Sequence, residues 1–460
     1  MEISNGVKNI KKRSKPNKII GVIGLGYLGL PLTVAFAKVG YQVIGIDIDK
    51  RKIKKLKQTY QGNIYEPGLN ETLKRYKDRI RFTTEQPAAL KECDAIVITV
   101  GTPIDNKSQP DFSDVNNVAN TVGENLRKGQ LIILKSTVLP GVTRRLALQL
   151  EKLSGLKAGA DFFVVFSPER TLEGRVLKEL YTLPKIIGGI NQKSLKRGVA
   201  FIKKLGGEII KVSSLEIAEM CKCIDNSYRV VNITFANEIG DICEKNGLDA
   251  YEIVSAVNKA YSRTNVFLPG LGAGGPCLTK DPKILNYYAE RNNLKTKMLN
   301  ASIIKSQEST MRLVPMITQF LKRNKIKKPK ISLVGLAFKG SPATDDIRNS
   351  PAVDIYRALE KKLKNPKFSF YDPIIKNFIS NKVARNLNNC LKDSNVVVFL
   401  TNHPVLKNID SKYLLDISGR PLLIVDCWHN LINLNKVQDK KVKIFRIGDS
   451  SHLKSWAKKL

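Results

Sequence analysis

Cys277 stands in a glycine-dense stretch, Gly270-Leu-Gly-Ala-Gly274-Gly-Pro-Cys277-Leu-Thr-Lys280-Asp281-Pro282, just ahead of a predicted helix. A thiol held near a helix N-terminus and a lysine is expected to have its thiolate favoured, which a covalent nucleophile needs. Asp281 followed by Pro282 reads as a cap and first turn, a role compatible with proton transfer. The alternative for Cys277 is a buried thiol in a tight loop. Upstream, Lys222 and Asn226 in Glu219-Met-Cys-Lys222-Cys-Ile-Asp-Asn226 stand four apart and share one helix face. An ammonium and an amide side by side can hold an oxyanion, although most such pairs on helices are solvated. Ser167-Pro-Glu169-Arg170-Thr-Leu-Glu173-Gly174 follows a buried strand, at the carboxyl edge of a sheet where ligands of α/β folds meet. Glu169 there is a base, a water positioner, or simply the partner of Arg170.

A second kind of chemistry is binding. Gly24-Leu-Gly26-Tyr27-Leu28-Gly29 follows the strand-like Lys18-Ile-Ile-Gly-Val-Ile-Gly24 and opens a helix-like run ending at Gly40. Its amides can receive a pyrophosphate at the positive end of the helix. Asp47, 18 residues beyond Gly29, ends the next strand, where a carboxylate accepts the hydroxyls of an adenosine ribose. Asp47 and Asp49 would repel a 2′-phosphate, so NAD is expected rather than NADP, with Lys50 and Arg51 as the opposing signal. His403, His429 and His452 form no pair with metal spacing, and no metal site is expected.

The elements that must position these groups are legible in the hydrophobic pattern. Strand-like runs end near Ile23, Ile46, Val100, Ser136 and Phe166, alternating with helical stretches, which implies a parallel, doubly wound sheet to about residue 210. From Ser214 to about Asn246 the period becomes helical, with Ile217, Met220, Cys221, Ile224, Tyr228 and Val231 available as an apolar face. Beyond the basic run Lys322 to Lys330 strands return at Ile331, Phe368, Asn395 and Leu422. The expected class is α/β, two Rossmann-like domains joined by a long central helix. The expected divisions are a basic tail over 1–17, a cofactor domain over 18–210, a helical domain with the cysteine loop over 211–320, and a second domain over 321–460. A cleft between two such halves is where ligands are usually held.

The chain has 460 residues, 77 Lys+Arg against 41 Asp+Glu for a net charge of +36, and 42% hydrophobic residues. That excludes a coiled coil, a disordered chain and a small stapled scaffold. No apolar run approaches a membrane span and no secretory leader is read at the start, so no membrane partner is expected. Seven cysteines without framework spacing read as reduced thiols in a cytoplasmic protein. The basic residues are spread and lack interleaved aromatics, which favours a lysine-rich composition over a nucleic-acid partner; the same field would serve an anionic substrate.

With these blocks in hand, residues 18 to 450 resemble the nucleotide-sugar dehydrogenases of the UDP-glucose/GDP-mannose dehydrogenase family. The matching blocks are Gly24 to Gly29 with Asp47, Glu66-Pro-Gly-Leu69, Gly101-Thr102-Pro103, Ser136-Thr137, Pro168-Glu169 with Glu173-Gly174, and Lys222 with Asn226. Asn237-Glu238, Gly274-Gly275 with Cys277 and Lys280-Asp281, and Phe338-Lys339 with Thr344-Asp-Asp-Ile-Arg348 complete the set. The resemblance implies a four-electron oxidation at C6 of a UDP-sugar, with two NAD reduced per turnover. Cys277 would capture the aldehyde and carry a thioester; Lys222 and Asn226 would stabilise the oxyanion; Asp281 would assist proton transfer; Glu169 with Thr137 would support hydrolysis. Tyr27, Leu28, Thr102, Thr137, Glu173, Lys280 and Arg348 would approach the cofactor. Glu169, Arg170, Lys222, Asn226, Gly274, Phe338, Lys339 and Arg263 would approach the substrate.

Two departures bear on the substrate: Pro276 precedes the cysteine where His or Ser is common, and the stretch from Lys339 to Thr344 is longer than in UDP-glucose enzymes. Ser167-Pro-Glu-Arg170 and Thr401-Asn-His403 look like the acetamido-sugar branch. The expected substrate order is UDP-N-acetylmannosamine, then UDP-N-acetylglucosamine, then UDP-glucose. The family pattern implies a homodimer or higher homo-oligomer. The rivals are an inactive relative that binds NAD or a polyanion, and a two-electron 3-hydroxyacid-type dehydrogenase that needs no thiol.

Overall fold

The computed structural model describes residues 18–434 and 437–450; the basic tail over 1–17 and His452 lie outside the described residues. Eight strands form the first sheet: β1 (Ile19–Ile23), β2 (Gln42–Ile46), β3 (Ile80–Thr83), β4 (Ala95–Ile98), β5 (Leu131–Leu134), β6 (Phe163–Phe166), β7 (Lys185–Gly189) and β8 (Ile209–Lys211). Their spatial order is β3-β2-β1-β4-β5-β6-β7-β8, so the connection reverses between β1 and β4. That switch point opens a crevice at the carboxyl ends of the strands, where both the Gly24–Gly29 loop and the Gly101–Pro103 turn emerge. The strands are apolar on both faces because helices cover both: Ile20, Val22, Val97 and Ile133 face one core, and Ile23, Ile96, Ile98 and Ile132 the other.

The expectation of an all-parallel sheet to residue 210 fails at one pair. β7 runs antiparallel to β6, with Val165 opposite Gly189 and Phe166 opposite Gly188, and β8 then runs parallel to β7. The 167–184 connection, with its short helix Val176–Thr182 packed on the first helix of the domain, returns from the carboxyl edge without crossing the sheet. The strand that follows must therefore run backwards.

Five helices matter for the site: α1 (Gly29–Lys38), α2 (Val142–Ser154), α3 (Leu215–Asn246), α4 (Asp281–Arg291) and α5 (Lys297–Met311). α1 is buried from Gly29 to Ala37, as an almost wholly apolar helix must be. α3 begins where the Ser214 side chain accepts from Ile217 N–H and ends at Gly247 with φ +73°. Its 32 residues extend about 48 Å and link the two α/β halves.

The apolar face expected of α3 is not its buried one. Ile217, Ile224 and Tyr228 are exposed, whereas Leu215, Ala218, Glu219, Lys222, Cys223 and Asn226 face inward. The inner face packs closely on α4 and α5 and carries the polar chemistry, which leaves the large apolar side chains outside. Among the described residues no helix is long and apolar enough to cross a membrane.

The second sheet is parallel, in the order β10-β9-β11-β12-β13, from β9 (Lys330–Val334), β10 (Lys367–Tyr371), β11 (Val396–Phe399), β12 (Leu422–Asp426) and β13 (Val442–Arg446). It repeats the first sheet's strand-to-loop device. Gly24 N–H donates to Ile46 O at 2.9 Å and Leu25 N–H to Asp47 Oδ2 at 2.8 Å; Gly335 N–H donates to Tyr371 O at 2.8 Å and Leu336 N–H to Asp372 Oδ2 at 2.7 Å. Both glycines have positive φ, +89° and +83°, a conformation other residues adopt at a cost.

Candidate active site

A cleft of about 1020 Å³ gathers Gly26, Tyr27, Leu28, Thr102, Lys135, Thr137, Glu169 and Glu173 from the first domain, Lys222 from α3, Cys277 and Lys280 from the glycine loop, and Arg348 from the second domain. A separate depression of about 730 Å³, bounded by Asp111, Arg145, Tyr287 and Arg291, holds none of the candidate residues.

Cys277 presents its side chain to this cleft. Its loop is tied down from three directions: Gly272 N–H donates to Thr310 Oγ1 at 3.0 Å, Ala273 N–H to Ser306 Oγ at 2.8 Å, and Gly275 N–H to Asn349 O at 3.0 Å. Gly275, at φ +86°, lies under the Phe338 ring, where a Cβ would come within 2.6 Å of the ring; Gly274 abuts Phe338 and Pro351 in the same way. Solvent in the cleft can reach Sγ, yet the flanking walls disfavour the thiolate. Burial and the Asp281 carboxylate raise the thiol pKa, against the lowering pull of Lys222 and Lys280. The expected thiolate is therefore corrected: Cys277 rests as a thiol, because Asp281 and the low-dielectric walls outweigh the two ammonium groups.

Behind the thiol lie Lys222, Asn226 and Asp281, all buried. Asp281 is the first residue of α4 rather than its cap; its N–H donates to Cys277 O at 2.8 Å and its side chain turns inward. Asn226 Nδ2 donates to Asp281 Oδ2 at 2.5 Å. Lys280 Nζ pairs with Asp281 Oδ1 at 2.8 Å, so the buried carboxylate is engaged at both oxygens. Lys280 Nζ also donates to Thr102 Oγ1 at 3.3 Å, and Thr102 Oγ1 donates to Thr137 O at 2.7 Å.

Glu169 does not pair with Arg170. Its partner is Lys135, whose Nζ lies 3.3 Å from Oε2, while Arg170 Nη2 donates to Pro184 O at 2.8 Å and turns to a structural role. Burial alone would raise the Glu169 pKa, but Lys135 and the amides of Arg170 and Thr171 outweigh it and hold the carboxyl below its usual range. Lys135 is a functional residue missed from the sequence. The available signal was a lysine ending an otherwise apolar strand, Leu131-Ile-Ile-Leu-Lys135.

Glu173, Lys339, Arg348 and Tyr27 meet where the two α/β domains touch. Lys339 Nζ donates to Glu173 O at 2.7 Å, Thr344 Oγ1 to Glu173 Oε2 at 3.1 Å, and Tyr27 OH to Asp345 Oδ1 at 2.9 Å. The Arg348 guanidinium lies 4.8 Å from the Tyr27 ring centroid and 3.7 Å from Glu173 Oε1. Burial pushes Glu173 up to about 7 and Lys339 down to about 8. Gly174, at φ +83°, lies against this contact, and a Cβ there would sit 2.1 Å from Ala343 O. Arg263 is not brought to the cleft in this chain; it is exposed, with its guanidinium 5.0 Å from the Tyr261 ring centroid.

The Gly24–Gly29 loop fits a dinucleotide. A Cβ at Gly29 would lie 1.8 Å from Gly24 O, while one at Gly26 would meet nothing within 4 Å, so the loop is tight at its base and open above. The first turn of α1 has no acidic residue and no side-chain cap; Leu30 and Leu32 N–H donate to Gly26 O and Leu28 O and Pro31 has no N–H, so the amides that face an anion are those of the loop over Gly26 to Gly29. Asp47 already accepts from Leu25 N–H, Asp49 N–H and Lys52 Nζ. Of the roughly four acceptor positions on a carboxylate, one remains for a ribose hydroxyl, beside the Lys52 ammonium.

Three matched segments cover most of the chain: the NAD binding domain of the UDP-glucose/GDP-mannose dehydrogenase family over 18–205, its central domain over 216–306, and its UDP binding domain over 332–433. The UDP-N-acetyl-D-mannosamine dehydrogenase of Methanococcus vannielii is 32% identical over 452 residues, covering 96% of this chain and 99% of that protein. That of Pyrococcus horikoshii is 32% identical over 394 residues, 85% of this chain and 91% of the relative. A solved structure of the Pyrococcus UDP-D-ManNAc dehydrogenase superposes with a TM-score of 0.84 at 29% identity, covering 94% of this chain and all 100% of that one. UDP-glucose 6-dehydrogenase TuaD of Bacillus subtilis is 31% identical over 431 residues, 92% of this chain and 91% of its own. The three domains of the family follow one another in order along nearly the whole length that holds the dinucleotide loop, the cysteine and the second α/β domain, and the chain belongs to the UDP-glucose/GDP-mannose dehydrogenase family.

Proposed function

We propose that the protein oxidises the C6 alcohol of UDP-N-acetylmannosamine to the carboxylate of UDP-N-acetylmannosaminuronate within one site. The observation that carries this reading is Cys277 facing the inter-domain cleft, backed by Lys222 and the Asn226–Asp281 pair. The Gly24–Gly29 loop and Asp47 would hold NAD, which would supply the hydride acceptor for both oxidations. The chain's own groups do the rest. Lys222 and Asn226 steady the developing oxyanion. The Cys277 thiol adds to the aldehyde carbon; the Asp281 carboxylate assists transfer of its proton, by way of a water in the cleft, to the carbinol oxygen. Once this adduct is oxidised to the thioester, ionised Glu169 takes a proton from water at the Thr137 side of the cleft, and the acid leaves.

The sugar assignment rests on the named activity of the Methanococcus and Pyrococcus relatives. The Bacillus relative supports UDP-glucose as the second reading. The matched UDP binding domain supports a uridine diphosphate handle in either case.

We further infer a homodimer in the cytoplasm. Along α3, Ile217, Ile224 and Val231 alternate with Cys221, Tyr228, Phe235 and Ile242 at heptad spacing, and five of these are about half exposed. A seam of that pattern is what a second copy of the same helix would cover. All seven cysteines are free thiols, in keeping with a reducing compartment. We retain the division 18–210, 211–320 and 321–460.

The test is NADH formed per sugar with UDP-N-acetylmannosamine, UDP-N-acetylglucosamine and UDP-glucose in parallel. Two NADH per sugar with the first preferred is expected, and Cys277→Ala abolishes acid formation. One NADH per sugar in wild type would make the protein a two-electron dehydrogenase and remove the thiol from the reaction.

A further inference from the structure

The reaction above leaves unused one fully buried carboxylate on α3, Glu219. Its Oε2 accepts from Gly141 N–H at 2.6 Å, and its Oε1 from the Thr143 N–H at 2.7 Å and the Thr143 hydroxyl at 2.6 Å. These donors open α2, whose own N-cap, Gly141, has no side chain to serve them. α3 therefore caps α2 across the tertiary structure, through three short hydrogen bonds.

One turn further along α3, Cys223 Sγ lies 3.6 Å from Val138 O. Glu219 and Cys223 thus grip both ends of Val138-Leu-Pro-Gly141, and between them on the helix stands Lys222, which lines the cleft. The gripped segment continues directly into Thr137 and Ser136. Those two are pinned from the other side, Ser136 Oγ donating to Val100 O and Thr102 Oγ1 to Thr137 O, each at 2.7 Å. The segment is a strut between the oxyanion helix and the floor of the cleft.

We propose that Glu219 is a positioning residue for thioester hydrolysis: it fixes the Thr137 segment against Lys222 and so places the attacking water. The inference rests on the four-electron reading above. In that step the water oxygen bonds to the thioester carbon, the C–S bond breaks and its electron pair leaves on Sγ. One water proton goes to Glu169 and the other to Sγ, with no net redox change. Misplacement of such a water by about 1 Å costs on the order of a hundredfold in rate.

Glu219→Gln keeps the shape but turns an NH2 group towards one of the three donors. With NAD and UDP-N-acetylmannosamine, we expect kcat to fall roughly tenfold to a hundredfold while KM stays within about twofold. The NADH burst of the first turnover persists, and intact-protein mass spectrometry shows an acyl adduct building up on Cys277. Thr143→Val removes only the hydroxyl donor and gives a smaller fall with the same adduct; it carries the test should Glu219→Gln not fold. Wild-type kcat in both variants overturns the proposal, as does a uniform loss of rate with no adduct. One NADH per sugar in the wild type instead overturns the four-electron reading, and the inference with it.

Discussion

Adding one methyl group at either of two glycines separates cofactor binding from folding. A Cβ at Gly29 would lie 1.8 Å from Gly24 O and 2.6 Å from Thr99 Oγ1. An ordinary carbon–oxygen contact is about 3.3 Å, so the backbone must retreat by roughly 1.5 Å. Neither clash is with a flexible side-chain tip, so Gly29→Ala is expected to cost about 3 kcal/mol, which for a domain of this size lowers Tm by roughly 6–12 °C. A Cβ at Gly26 meets no protein atom within 4 Å, and the residue is not held at positive φ. Gly26→Ala should fold with wild-type stability. Its methyl nevertheless stands about 1.5 Å further into the space above the loop, where a pyrophosphate must approach the amides.

Losing two hydrogen bonds to a charged group, at about 1.5 kcal/mol each, weakens NAD by roughly a hundredfold. The readout is urea unfolding with and without NAD at a hundred times the wild-type Kd. Wild type gains about 2.7 kcal/mol from the ligand, whereas Gly26→Ala gains only about 0.4 kcal/mol. If Gly26→Ala binds NAD as wild type does, the Gly24–Gly29 loop is not the pyrophosphate site and the cofactor assignment fails.

Removing the positive partner of Glu169 with Lys135→Met takes away a lowering influence, so the acid limb of the kcat–pH profile moves to higher pH; an unmoved limb would show that Glu169 is not the base. Glu173 and Glu219 are both pushed up to about 7 by burial, above the ordinary 4.5. Such a carboxyl stabilises the fold fully below its unfolded pKa and loses that contribution as pH rises through the folded value. The ligand-free unfolding free energy should therefore contain a component that declines from about pH 4.5 to 7, and Glu173→Gln should flatten it, as pH-resolved denaturation would register. Ile224→Asp, on the exposed seam of α3, should convert a dimer to monomer in sedimentation velocity without lowering NAD affinity; an undisturbed dimer would place the interface elsewhere.

Much of this protein is written locally. Glycines at 24, 26 and 29 between a β-branched run and a helix, an aspartate ending the next strand, and a cysteine among glycines are neighbours in the chain, so spacing alone discloses them. The strands and the 32-residue helix follow from periodicity, because apolar runs of those lengths have few other ways to leave water.

What stayed hidden depends on partners distant in sequence. The direction of β7 follows from a connection that never crosses the sheet, which no strand pattern records. The outward apolar face of α3 could not be told from its inner one by period, since both recur every turn; only the packing of α4 and α5 decides which is covered. Lys135 reached Glu169 rather than Arg170 doing so because β5 and β6 end side by side. The resting state of Cys277 was misread for the same reason. Its near neighbours in sequence are a lysine and a helix start, but its titration is decided by the walls of the cleft and a carboxylate turned inward. Asp281 is only four residues away, but the burial that most raises the thiol exists only in the folded cleft.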